Sequence, residues 1–183
     1  MARWILHPNF LTLGRIVAVP LIVVLMLFPH RLNSFLAAVI FSIAAITDFF
    51  DGYLAREHGM VSNFGRIMDP LADKLLVSTA FIMLTGLGWV PAWMICVIIG
   101  RELAVTGLRN FMAEGKEDLS ASSLGKYKTG FQIAAIIPLL IHYPLLGIDF
   151  TQVGDFFLWL ALILTLWSGI DYFVRFRRLM QFT

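Results

Sequence analysis

An all-α integral membrane protein of six transmembrane helices, preceded by a short interfacial helix, is the fold class this sequence predicts. Three observations lead there. Hydrophobic residues make up 59% of the 183-residue chain and charged residues 14%, where a soluble domain averages roughly a quarter charged. Apolar runs of about the 20 residues needed to cross a bilayer recur along the chain. Threading those runs back and forth collects thirteen of the fourteen lysines and arginines on one side.

Residues 2–10, with Trp4, Ile5, Leu6 and Phe10, suit a short helix lying on the membrane surface. The spans follow at 10–28, 35–55, 71–89, 91–111, 128–146 and 156–176. Gaps after the first, third and fifth are short, whereas 56–70 and 112–127 are longer and polar. An even number of spans puts both termini together, with Arg3, Arg15, Arg56, Arg66, Lys74, Arg101, Arg109, Lys116, Lys126, Lys128, Arg175, Arg177 and Arg178 on their side. Arg31 alone falls on the other side. This bias marks the terminal side as cytoplasmic. An odd number would scatter the charges over both faces.

No repeat, low-complexity tract or Gly/Ser linker divides residues 1–183, which are expected to form one domain. Asn9, Thr12 and Arg15 interrupt the first apolar run, against a cleavable signal peptide. The one cysteine, Cys96, excludes an internal disulfide and is expected to pack as a small hydrophobe. The four histidines, His7, His30, His58 and His142, are dispersed without ligand spacing.

Against this background four carboxylates stand out: Asp48 and Asp51 near the cytoplasmic end of the second span, Asp69 and Asp73 at the start of the third. Helical spacings of three and four put each pair on one face. Two such anions about 4 Å apart repel by about 4 kcal/mol at an effective dielectric near 20. Positive charge must therefore sit among them, and two divalent cations would balance four carboxylates. Oxygen donors of this kind suit Mg²⁺ or Mn²⁺ rather than zinc. Two such ions can clamp a diphosphate and stabilise a leaving phosphate. Asp69-Pro70 alone would serve as a helix start. Helix capping does not account for Asp48, set among apolar neighbours, and acids within a membrane are functional candidates.

Asp48, Asp51, Gly52, Ala55, Arg56, Gly65, Asp69 and Asp73 fill every fixed position of Asp-x2-Asp-Gly-x2-Ala-Arg-x8-Gly-x3-Asp-x3-Asp. This pattern resembles the signature of the CDP-alcohol phosphatidyltransferase family. The resemblance implies a six-helix membrane fold, usually dimeric, with two Mg²⁺ or Mn²⁺ ions held by the second and third helices. It implies that an alcohol displaces CMP from a CDP-linked donor. By the same resemblance Asp48, Asp51 and Asp69 are chiefly metal ligands, and Asp73 is the base for the attacking hydroxyl, with a metal contact of its own. Gly52 and Ala55, one turn apart, would clear a groove for the nucleotide. Gly65 would do likewise or permit a tight helix start, and Arg56 would brace the carboxylates or touch the diphosphate. Asn9, Thr12 and Arg15, at steps of three, match an element that the family carries near the nucleotide diphosphate.

The segments around Arg101-Glu102, Arg109 and Gly125-Lys126-Tyr127-Lys128 are similar to those of the family branch whose acceptor is sn-glycerol 3-phosphate and whose donor is CDP-diacylglycerol. Arg109, Lys126 and Lys128 are expected at the cytoplasmic end, where they suit a phosphorylated acceptor. Arg101 and Glu102 lie ten residues into their span, where charge is costly unless paired or wet. An ion pair to another helix and an acceptor pocket are both open to them. Phosphatidylglycerol or inositol phosphate are the alternative acceptors within the family. An aspartate-rich prenyltransferase usually needs more spans, and a cation transporter would need acids on both faces.

Overall fold

The computed structural model describes residues 8–58, 63–114, 123–145 and 147–180, and its helices support the all-α expectation. Six helices appear among these residues: α1 (Pro8–Leu27), α2 (Arg31–His58), α3 (Asn63–Gly86), α4 (Ala92–Glu114), α5 (Ser123–Ile141) and α6 (Phe150–Met180). Residues 1–7, most of the expected interfacial helix, lie outside the described ones.

Helix ends differ from the apolar runs where local chemistry intervenes. The third run reaches Trp89, yet α3 stops at Gly86. There Trp89 N donates to Leu84 O (3.0 Å) and Gly88 N to Thr85 O (2.9 Å), with Gly88 at φ 72°. This Schellman closure needs a left-handed residue that glycine supplies without strain. The fifth run continues to residue 146, yet α5 ends at Ile141. Pro144 disfavours helix at the residue before it, and His142 takes φ 57°. A two-stranded hairpin follows, β1 (Pro144–Leu145) pairing antiparallel with β2 (Ile148–Asp149). The sixth helix starts at Phe150, six residues before its apolar run, because Asp149 Oδ1 accepts from Thr151 N at 3.0 Å and caps it.

Packing joins α5 most extensively to α6, α1 to both α2 and α3, α2 to α5, and α4 to α6. More of α2 and α3 packs on α1 than on each other. Phe41, Phe81, Met26, Leu76, Leu84, Ile136 and Leu139 are among the fully buried side chains. Gly154 permits the tight α5–α6 contact: a Cβ there would lie 2.5 Å from Leu139 Cγ and 3.1 Å from its backbone nitrogen.

Ser34, Lys128, Gln132, Thr165 and Ser168 are buried, while Leu32, Phe28, Trp167, Ile170 and Phe173 face outward. Cys96 is exposed as well, not packed in the core as expected, because its position on α4 faces outward. A surface this apolar marks contact with lipid or protein. Among the described helices only Phe150–Arg177 is long and apolar enough to cross a bilayer, with mean hydropathy 1.8. Gly14–Leu27, Arg31–Thr47 and Tyr127–Ile141 are shorter apolar stretches. On α4, Arg101, Glu102 and Arg109 interrupt the apolar run.

Candidate active site

Asp48 and Asp51 lie on the C-terminal part of α2, and Asp69 and Asp73 on the N-terminal part of α3. Each pair therefore keeps its helical spacing. The side chains of Asn9, Thr12, Asp48, Asp51, Gly52, Ala55, Arg56, Gly65, Asp69 and Lys126 lie outside the described ones. Arg15 is buried on α1, the helix that packs against both α2 and α3. Among the described residues no three acids, histidines or cysteines form a metal-holding group, and Asp73 is the one member of the acid set whose side chain is described. The four aspartates expected to hold metal on α2 and α3 are all carboxylates, chemistry that fits Mg²⁺ or Mn²⁺.

Asp73 opens onto a cavity of about 210 Å³ walled by α3, α4, α5 and α6. This is below the roughly 300–1,000 Å³ typical of drug-sized ligand pockets, a size for a small polar molecule. Helical periodicity explains the lining: Asp73, Lys74, Val77 and Ser78 form one face of α3; Arg101, Glu102, Val105, Thr106 and Arg109 one face of α4; Lys128, Thr129 and Gln132 one face of α5. Tyr172 closes the wall from α6. Among the described residues four cations face two carboxylates here, a surplus of positive charge. Arg101, Arg109 and Lys128, three of the four basic residues expected at an acceptor phosphate, share it with Asp73.

The polar groups cross-link the helices. Lys128, with its side chain 7% exposed, donates from Nζ to Glu102 Oε1, which joins α5 to α4. Arg101 Nη1 lies 3.5 Å from the same carboxylate oxygen, so Glu102 is shared between two cations. Glu102 thus makes a cross-helix ion pair, and Arg101 lies on the cavity wall. Lys74 Nζ donates to Thr106 Oγ1, and that hydroxyl donates to the Glu102 carbonyl at 2.6 Å. Arg101 also lies over the Tyr172 ring, 5.6 Å from its centroid. Gly169 leaves room for that approach, since a Cβ there would meet Arg101 Cγ at 3.2 Å.

Some donors remain unspent. Arg101 Nε and Nη2 and Gln132 Nε2 are buried without a hydrogen-bond partner among the described residues. A buried polar group left so costs about 1–3 kcal/mol, a burden that a bound anion or hydroxyl would relieve. Lys74, Thr106, Gln132 and Tyr172 were not singled out from the sequence as site residues. Steps of three and four from Arg101, Glu102 and Lys128 would have found Thr106 and Gln132.

A family model described as CDP-alcohol phosphatidyltransferase matches residues 5–167. The chain is 44% identical to the CDP-diacylglycerol–glycerol-3-phosphate 3-phosphatidyltransferase of Bacillus subtilis (strain 168), over 91% of this chain and 92% of that protein. It is 41% identical to the protein of the same name from Rickettsia typhi, over 91% and 94%. With that from Escherichia coli (strain K12) it shares 38% identity, over 90% and 91%.

Proposed function

The chain belongs to the CDP-alcohol phosphatidyltransferase family, and we propose that it transfers the phosphatidyl group of CDP-diacylglycerol to sn-glycerol 3-phosphate. The products are phosphatidylglycerophosphate and CMP. The observation that carries this reading is the electropositive cavity beside Asp73, whose size and charge suit a small phosphorylated alcohol. The names of the relatives support the same donor and acceptor.

In the proposed reaction Arg101, Arg109 and Lys128, together with Lys126, hold the acceptor phosphate by charge-assisted hydrogen bonds. Glu102 keeps Arg101 and Lys128 in place. Asp73 takes the proton from the acceptor's primary hydroxyl. That oxygen forms the new ester bond at the lipid-side phosphorus, and the bond from this phosphorus to CMP breaks. Asn9, Thr12, Arg15, Gly52, Ala55, Arg56 and Gly65 line the donor's place. Asp48, Asp51, Asp69 and Asp73 would hold two Mg²⁺ or Mn²⁺ ions. When bound, such ions supply charge neutralisation on the diphosphate and stabilise the departing phosphate. Direct transfer is the simplest course, since among the described residues of the cavity wall there is no Cys or His nucleophile and no His beside Ser78.

The protein works as a multi-pass homodimer of the bacterial cytoplasmic membrane, with all six helices spanning it and both termini and the site on the cytoplasmic side. The apolar outward surface supports the membrane setting, and the one-sided lysines and arginines support the orientation. Full-length protein in lipid nanodiscs, given CDP-diacylglycerol, Mg²⁺ and a panel of acceptors, tests the activity by CMP release. Glycerol 3-phosphate is expected to be the acceptor used, with release abolished by chelation. Preference for phosphatidylglycerol or inositol phosphate, or turnover that survives chelation, overturns the reading.

A further inference from the structure

We infer that Gln132 is a specificity-determining residue whose side-chain amide donates a hydrogen bond to the middle hydroxyl of the acceptor; this deepens the proposed activity and rests on it. Gln132 is 3% exposed and lines the cavity, and its Nε2 has no partner among the described residues. It stands one helical turn beyond Lys128 on the same face of α5, so it shares the wall with a cation already assigned to the phosphate.

A three-carbon phosphorylated alcohol asks three things of this cavity. Its phosphate needs cations, which Lys74, Arg101, Arg109 and Lys128 provide. Its attacking hydroxyl needs a base, and Asp73 provides one. Its middle hydroxyl needs a neutral partner. Thr106 is already committed twice, accepting from Lys74 and donating to the Glu102 carbonyl. Ser78 and Thr129 are only half-buried, within reach of water. Tyr172 is also buried, but it is engaged with Arg101. Among the described lining residues, Gln132 is thus the neutral polar side chain that is deeply buried and keeps an unpartnered donor. Sites that bury a hydrogen-bonding group for a substrate hydroxyl reject the analogue lacking it, because the group is then stranded.

The test compares glycerol 3-phosphate with propane-1,3-diol monophosphate, which lacks only that hydroxyl. Full-length protein in nanodiscs with CDP-diacylglycerol and Mg²⁺ is assayed by CMP release. Wild-type protein is expected to favour glycerol 3-phosphate by about 10- to 100-fold in kcat/KM. In Gln132→Met the ratio should fall towards one, through loss on glycerol 3-phosphate with the analogue little changed. A variant that keeps the wild-type ratio, or that loses both acceptors in equal proportion, overturns the inference. So does a wild-type ratio near one, whatever the variant does; Gln132→Leu repeats the comparison should the methionine variant not fold. Wild-type protein that uses neither acceptor breaks the activity reading itself, a result distinct from equal use of both.

Discussion

At one end of the helix bundle Trp89 stacks on His142 with ring centroids 3.8 Å apart, Arg31 lies over the Tyr143 ring, and Asp149 caps α6. At the other end Lys74, Arg101, Glu102, Arg109 and Lys128 crowd a cavity among α3, α4 and α5. Charge at the hairpin end sits at helix starts and in turns, where it finishes the fold. Charge at the cavity end sits on helix faces, paired across helices and with donors left over. Burying charge in that way costs stability. Among the described residues the hairpin end also has unpartnered buried atoms, His142 Nδ1 and the Tyr143 hydroxyl, but those of Arg101 and Gln132 belong to residues that line the cavity. The first end is built for closure, the second for a ligand.

Three substitutions test this contrast, in order of expected effect. Asp73→Asn should lower CMP release by roughly 100- to 10,000-fold, the range for a general base, while CDP-diacylglycerol binding persists. Activity near the wild-type level would remove the base from the cavity. Glu102→Ala should strand Lys128 and lower unfolding stability in detergent by about 3 kcal/mol. It should also lower kcat/KM for the acceptor, because Arg101 and Lys128 both lose their shared carboxylate. Stability and turnover should fall together, and an unchanged melting temperature would contradict the ion pair's role. Asp149→Ala, at the hairpin end, should cost only about 1 kcal/mol as a lost helix cap. Its turnover should match wild type, and a clear loss of activity would mean that the two ends are coupled.

The helices were legible because apolar runs and polar gaps alternate so plainly. Their ends were less so: Leu145, Leu146 and Ile148 extend an apolar run through what is a hairpin, and only Pro144 and Asp149 betray it. In the cavity, Arg101, Glu102 and Lys128 drew attention because charge is out of place in such sequence. Lys74 passed as one more cytoplasmic cation, although its ammonium donates to Thr106. Gln132 and Tyr172 are neutral and common in helices, so their part depends on which face of α5 and α6 turns inward. That is decided by packing, which pattern alone does not express.

Where Gly154 meets Leu139, a single added methyl group would collide with the side chain and press on the backbone. Beside the hairpin, α5 and α6 therefore leave no room between them for an acyl chain, and a larger side chain at position 154 would have to push the two helices apart.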